Sequence, residues 1–512
     1  MPIRPIDQAT LEELGRRLRI GFAPGETGDF LELAERIRAN LDHLDDLDPV
    51  TGEAESPDEP KQPPVRDDPY NAVISWCDVP GADSGPLLGQ RFGLKDNIAV
   101  AGVPMTCGTA LLRTYVPKRH AAVVDRLLGA GARIVAKLNM DALAWSGGAD
   151  TSSYGQIRNP VAPDRAASGS SGGSAAALYL PEIDITLGTD QGGSIRVPAS
   201  CCGVLGLKPT FGLVPYSGIA GMDPAVDHVG PMARTVAELA STLAVIAGYD
   251  GEDPRQDPRV VVPDYVAAVA DAPPDLSGMR IGVLREAFAA DTDPAAPPGT
   301  QATMAATRAA VQRLASLGAS IVDVSVPLHT RAPALLFVML MESLASSFES
   351  PKSGYGHKGR HDAGFDTAMG RAVRGAGRDL PATVRAAALV GAHLRAEYAG
   401  AAYAQTRELC ADLTNSIDAQ FRSVDYLVMP TATHHAHQFA AGLPVPENVL
   451  RGWDMFGNTI STDISGHPAI SLPMAEADGL PVGVMFVAPR FADGRLLATA
   501  RTVERTLGWY PA

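Results

Sequence analysis

The chain has 512 residues, 46% of them hydrophobic and 20% charged, enough to bury a sizeable core. Its net charge of −15 leaves no basic face for phosphate, so neither nucleic acid nor an anionic membrane is an expected partner. Five cysteines, with Cys201 and Cys202 adjacent, give neither a disulfide framework nor a zinc spacing, and a reducing, cytoplasmic setting is expected.

The first residues, MPIRPIDQATLEEL, hold no charged segment followed by an apolar run, so no secretory leader is expected. No run of about 18–20 uninterrupted apolar residues occurs, so no membrane span is expected either. Residues 1–44 read as two helices. Thr10 with Glu13, and Asp29 with Glu32, fit capping boxes. In the second helix Phe30, Leu33, Ile37, Leu41 and Leu44 recur at helical spacing, an apolar face that must pack on the main body or on a second copy of the chain. Residues 45–70 are acidic and proline-rich and read as a linker.

From residue 88 short β runs alternate with helical stretches. RFGLK, ARIVAKL, IDITLG, RIGVL, SIVDVSV, DYLVM, AISLP and VGVMFVA are the predicted strands, and 121–130, 298–317 and 492–506 are predicted helices. The pattern predicts an α/β fold, a central sheet covered by helices on both faces. Residues 330–420 are helical in pattern and rich in alanine and arginine. The expected organisation is therefore an N-terminal region and linker (1–70), a first part of the α/β core (71–329), a helical insertion (330–420) and a second part of the core (421–512).

Two segments concentrate small and hydroxyl residues. The first is Ser-Gly-Ser-Ser-Gly-Gly-Ser at 168–174. The second is Gly-Thr-Asp-Gln-Gly-Gly-Ser-Ile-Arg at 188–196, directly after the strand IDITLG. Glycines after a strand let consecutive N–H groups point into one space, which is what a developing oxyanion requires. Ser194 closes that run, beside the amides of Gln191, Gly192, Gly193 and its own. A serine nucleophile needs a base. None of the eleven histidines sits in a recognisable triad context, although His228 and His467 are possible pocket residues. Lysine is rare, seven residues in all, and Lys95 ends the strand RFGLK. Burial lowers a lysine pKa, so a buried Lys95 can accept a proton near neutrality.

Taken one at a time these signals are weak. A Gly/Ser-rich segment is ordinarily a loop, and a lysine at a strand end is ordinarily solvated. Gly169 to Gly173 matches Gly-x-Ser-x-Gly, yet the preceding NPVAPDRAAS is no strand, as a nucleophile elbow would need. Neither a phosphate loop ending in Gly-Lys-Ser/Thr nor a Ser-x-x-Lys pair is present.

The segments GLKDNIAVAGVPMTCGT, SYGQIRNP, SGSSGGSAAA, LGTDQGGSIRVPASCCGVLGLKPTFGLVP, DISGHPAISLPM and GLPVGVMF, in this order, resemble the amidase signature family over most of residues 70–508. The resemblance is strongest to soluble bacterial amidases of nitrile-degradation pathways. It implies hydrolysis of carboxamide C–N bonds through an acyl-enzyme, with Ser194 as nucleophile, Ser170 as bridging serine after a cis Gly169–Ser170 peptide, and Lys95 as base. It implies that the Ala144–Trp145–Ser146 backbone lines the acyl site and that Asp190 and Arg196 brace the glycine loop. It also implies a homodimer formed through the N-terminal helices, a small-molecule amide substrate, and no metal or organic cofactor. The loop begins Gly188-Thr189-Asp190 where those amidases carry Gly-Gly-Asp. Substrate choice is expected in the helical insertion and in 434–456, which carries His434, His435, Trp453 and Phe456. Three other readings stay open: a carbamate or aryl-acylamide hydrolase with the same triad, an amidotransferase component that needs a partner, and an inactive scaffold.

Overall fold

The computed structural model describes residues 5–18, 21–41, 66–349 and 359–509. The chain falls into two units, 1–56 and 57–512. In the first, helices run Gln8–Leu18 and Glu26–Leu41. The predicted capping boxes are displaced: Thr10 and Asp29 lie inside the helices. Asp7 Oδ1 accepts the Thr10 N–H at 2.8 Å, and Glu26 Oε2 accepts the Ala23 N–H at 2.6 Å. Aspartate caps as well as threonine, so the first helix starts one turn earlier. Phe30, Leu33 and Ile37 are exposed. Leu44 and most of the predicted linker lie outside the described residues.

The second unit is built on one eleven-stranded sheet. The strands are β1 (Val73–Val79), β2 (Arg91–Lys95), β3 (Arg133–Leu138), β4 (Ile185–Asp190), β5 (Leu205–Lys208), β6 (His228–Ala233), β7 (Arg280–Leu284), β8 (Ser320–Val324), β9 (Tyr426–Pro430), β10 (Ala469–Ala477) and β11 (Leu480–Val487). Their spatial order is β1-β3-β2-β4-β6-β5-β10-β11-β9-β7-β8. The sheet is mixed. β2 pairs parallel with β3 and β4, and β7 parallel with β8 and β9. The central run from β4 to β9 is antiparallel throughout.

Successive side chains of a strand point to opposite faces. Tyr426 and Val428 of β9, and Val484 and Phe486 of β11, enter one apolar cluster. Leu427, Met429, Met485 and Val487 enter another. Both faces are therefore covered, and the strands read as continuous apolar runs. Helices Ala122–Gly129, Val236–Ile246, Thr300–Ser316 and Asp493–Leu507 contribute to the first layer. Helices Ala332–Glu349, Ala382–Tyr398 and Ala401–Gln420 contribute to the second. The segment Pro327–Glu349 is long and apolar enough to cross a membrane by length and composition. Its Leu335, Leu336, Met339, Leu340 and Leu344 are buried in the second layer, and Glu342 is buried with them, the placement of a core helix.

Three strands were not predicted. β5 has only four residues, and β6, His-Val-Gly-Pro-Met-Ala, carries the glycine and proline that usually mark a break. β1 precedes the region where the alternation begins and pairs antiparallel at the edge with β3.

Candidate active site

Parallel pairing of β2 with β4 sets the ends of both strands side by side, and the site assembles there. Lys95 is the last residue of β2 and is fully buried. Its Nζ lies 2.7 Å from Ser170 Oγ and 2.8 Å from Thr189 Oγ1. Burial drives the ammonium down to about 7, against the opposing pull of Asp190 and Asp141. Two other buried lysines do not touch a serine. Lys137 is held by Ile98 O at 2.6 Å and by Asp96 at 3.3 Å, and Lys208 by His467 O at 2.8 Å.

Ser170 follows the cis peptide Gly169–Ser170. A Cβ at position 169 would collide with the carboxylate of Asp141, so only glycine fits. Asp141 in turn accepts N–H groups from Ala149 (3.0 Å) and Thr151 (3.2 Å), fixing the preceding loop. The Ser171 N–H donates to Ser194 O at 3.2 Å and joins the two Gly/Ser segments. Ser194 is 4% exposed. Among the described residues no hydrogen bond joins Ser170 Oγ to Ser194 Oγ, although the lysine contact is formed.

Asp190 and Arg196 hold the glycine loop. Asp190 Oδ1 accepts the Gly193 N–H at 2.5 Å and Oδ2 accepts the Ile195 N–H at 3.1 Å. Arg196 spans the same carboxylate with Nε at 2.9 Å and Nη2 at 3.0 Å, and reaches Asp463 at 2.7 Å. Burial raises the Asp190 carboxyl, but the Arg196 guanidinium outweighs it and holds the group below the usual carboxylate range. The predicted set of four amide donors is narrowed here: Gly193 is already bonded to Asp190. Among the described residues, the N–H groups of Gln191, Gly192 and Ser194 have no protein acceptor. Thr459 Oγ1 donates to Gly192 O.

Ser194 opens on a narrow cavity shared with Ala144, Trp145, Ser146, Gln191 and Gly192. Met222, Leu336, Phe337, Leu340, Trp453, Phe456 and Ile460 form the rest of its wall, with no charged side chain among them. Trp453 packs at a tilt against Phe337 with ring centroids 5.2 Å apart and donates its Nε1–H to Trp145 O at 3.3 Å. Ala144, Trp145 and Met222 also line a second cavity of about 280 Å³. That one is more polar and includes Asp227, Arg255 and Arg360.

The expected pocket residues thus divide. Trp453 and Phe456 face Ser194, while His434 and His435 line neither cavity. His228 and His467 also line neither. His228 Nε2 lies 3.3 Å from Lys208 Nζ, and His467 Nε2 lies 3.1 Å from Asp418 Oδ1. Thr189 and Thr459 were not singled out as contact residues. Thr189 stood in the quoted loop, but nothing in a sequence says which hydroxyl will meet a lysine from another strand.

A sequence model of the family described as Amidase matches residues 77–497. A glutamyl-tRNA(Gln) amidotransferase subunit from a Synechococcus strain is 37% identical over 428 residues, 83% of this chain and 84% of that one. An enantioselective amidase of Rhodococcus rhodochrous is 34% identical over 454 residues, 88% of this chain and 86% of that one. The crystal structure of a glutamyl-tRNA(Gln) amidotransferase subunit from Thermotoga maritima superposes with a TM-score of 0.71 at 28% identity, covering 86% of this chain and 90% of that one. The chain is a member of the amidase family.

Proposed function

We propose that this protein hydrolyses the C–N bond of small carboxamides with an apolar acyl group, through an acyl-enzyme on Ser194. The observation that carries the reading is the fully buried Lys95, with Nζ 2.7 Å from Ser170 Oγ. Neutral Lys95 accepts the Ser170 proton as Ser170 accepts that of Ser194, and Ser194 Oγ attacks the carbonyl carbon. The oxyanion is met by the free amides of Gln191, Gly192 and Ser194. Ser170 returns a proton to the leaving nitrogen, the C–N bond breaks, and ammonia or an amine departs. Water then attacks the ester by the same relay and releases the carboxylic acid. The uncharged wall beside Ser194 supports an apolar acyl group.

The test is ammonia release from a panel of aliphatic and aromatic primary amides. Wild type should release it, and Ser194→Ala should be slower by at least about a thousandfold. Equal rates for the two proteins would remove Ser194 from the mechanism.

A second reading is favoured by the amidotransferase relatives: the chain works as one component of such a complex and delivers ammonia to a partner. It is distinguished by whether the purified chain alone turns over an amide. The exposed Phe30, Leu33 and Ile37 support pairing of two copies in a cytoplasmic homodimer. A solution mass that stays dimeric after removal of residues 1–44 would exclude that interface.

A further inference from the structure

One cluster of metal-ligating side chains lies apart from the reacting groups. His434 and His437 follow β9 in the segment Thr433-His434-His435-Ala436-His437, and Asp454 opens the short turn Asp454–Phe456. His434 Nε2 lies 3.1 Å from Asp454 Oδ1. His437 Nε2 lies 3.0 Å from the same oxygen and 3.2 Å from Oδ2. The three ligand atoms fall within 4.8 Å of one another, and the imidazole centroids are 4.4 Å apart.

The hydrogen-bond chemistry of His434 is the second observation. Its Nδ1 lies 2.9 Å from the His435 carbonyl oxygen. A carbonyl only accepts, so Nδ1 carries the proton and Nε2 of the neutral ring is a bare lone pair. That lone pair faces a carboxylate, which also only accepts. His437 brings a second ring nitrogen to the same oxygen. A neutral His437 can donate its Nε2–H to that oxygen, but His434, with its Nδ1–H committed to the carbonyl, has no proton to offer there without charging the ring. A single divalent cation satisfies all three ligands at once. Metal–ligand distances of about 2.0–2.1 Å in a tetrahedron place neighbouring ligand atoms about 3.3 Å apart, close to the two nitrogen–oxygen separations of 3.1 and 3.0 Å. A ligating imidazole held through its other nitrogen by a backbone carbonyl is the usual outer support of such a site.

We propose that His434, His437 and Asp454 form a binding site for one zinc ion, with water completing the tetrahedron. His434 is buried, whereas His437 and Asp454 are partly open, which leaves room for the water and a path of entry. Two nitrogens and one carboxylate oxygen suit zinc better than magnesium or calcium, which take oxygen ligands. The ion is distant from the reacting atoms in role: it ties the segment after β9 to the turn Asp454–Phe456, whose Phe456 and preceding Trp453 wall the cavity beside Ser194. It acts as a positioning element for that wall.

The experiment uses the full-length protein, stripped with a chelator, desalted and titrated with zinc chloride by calorimetry. One ion should bind per chain. His437→Gln and Asp454→Asn should each weaken binding at least about 100-fold, and His393→Gln, an exposed histidine elsewhere, should leave it unchanged. Zinc should raise the melting temperature of wild type but not of His437→Gln. A measurement needing no variant accompanies these: zinc X-ray absorption of the wild-type complex should give a first shell of two imidazole nitrogens with oxygen. Absence of stoichiometric binding to wild type, isotherms that ignore both substitutions, or a shell with sulfur or without imidazole would each overturn the proposal.

Discussion

Lys95 meets Ser170 in a place where water cannot help to hold its charge, and that dictates how pH should act. With the ammonium lowered to about 7, the proposed base is protonated and silent below that pH and neutral above it. The expected profile of kcat/KM therefore climbs about tenfold per pH unit below 7 and levels off above it. A pH–rate series on one primary amide reads this directly, and a flat profile through the acid range would remove Lys95 as the base. Lys95→Arg should be inactive at every accessible pH, because a guanidinium stays charged. Thr189 is the finer test. Its hydroxyl lies 2.8 Å from Lys95 Nζ and accepts Asn97 Nδ2 at 3.2 Å. Thr189→Val keeps the shape and removes the hydroxyl, so kcat should fall about five- to tenfold, the worth of one buried hydrogen bond. An unchanged kcat would mean that Ser170 alone orients the amine. Lys95, Ser170 and Ser194 were legible because motif order ties them to a family. Thr189 and Thr459 were not, since their contacts arise only when β2 closes on the end of β4 and the residue before the helix Ile460–Ser465 closes on the loop that follows it.

At the scale of elements, what the sequence revealed follows from packing. Strands buried on both faces, such as β9 and β11, announce themselves as apolar runs. β6 did not, because Pro231 is tolerated opposite Leu187 where a break would be expected. Helix starts were misplaced by about a turn in the N-terminal unit, since several polar residues there can cap equally well. The loop after β4 depends on a buried ionic network that the sequence hinted at only through the spacing of Asp190 and Arg196. Arg196 is fully buried between Asp190 and Asp463. Arg196→Met would leave the buried Asp190 beside Asp463 without the guanidinium that holds it charged, a loss of about 3–5 kcal/mol. Urea unfolding should show a lower midpoint at an unchanged slope. A midpoint shift worth less than about 1 kcal/mol would show that the carboxylates find other partners. Gly193 has φ +137°, and a Cβ there would strike Thr459. In steady-state kinetics on one primary amide, Gly193→Ala should therefore lower kcat more than it raises KM, by moving the amides proposed to meet the oxyanion.

For the whole molecule the question is what the assembled site is offered. Relatives that belong to amidotransferases and a relative that is an enantioselective amidase share this family at similar identity, so resemblance alone does not choose between them. The walls do discriminate on physical grounds. The cavity at Ser194 is apolar apart from Ser146, Gln191 and the backbone, and the charged residues belong to the larger cavity beyond Trp145. A substrate carrying both an ammonium and a carboxylate close to its amide would have to surrender hydration for a wall that offers neither charge a partner. An aliphatic or aryl acyl group gives up only apolar surface there, at about 25 cal/mol per Å² in its favour. The chain by itself should hydrolyse an apolar primary amide such as benzamide with a kcat/KM at least about 100-fold above that for glutamine. Steady-state ammonia release from the purified chain, with both substrates and no added protein, measures the ratio. A ratio below one, or turnover that appears only when partner proteins are supplied, would reverse the assignment and make the larger, charged cavity the seat of substrate recognition.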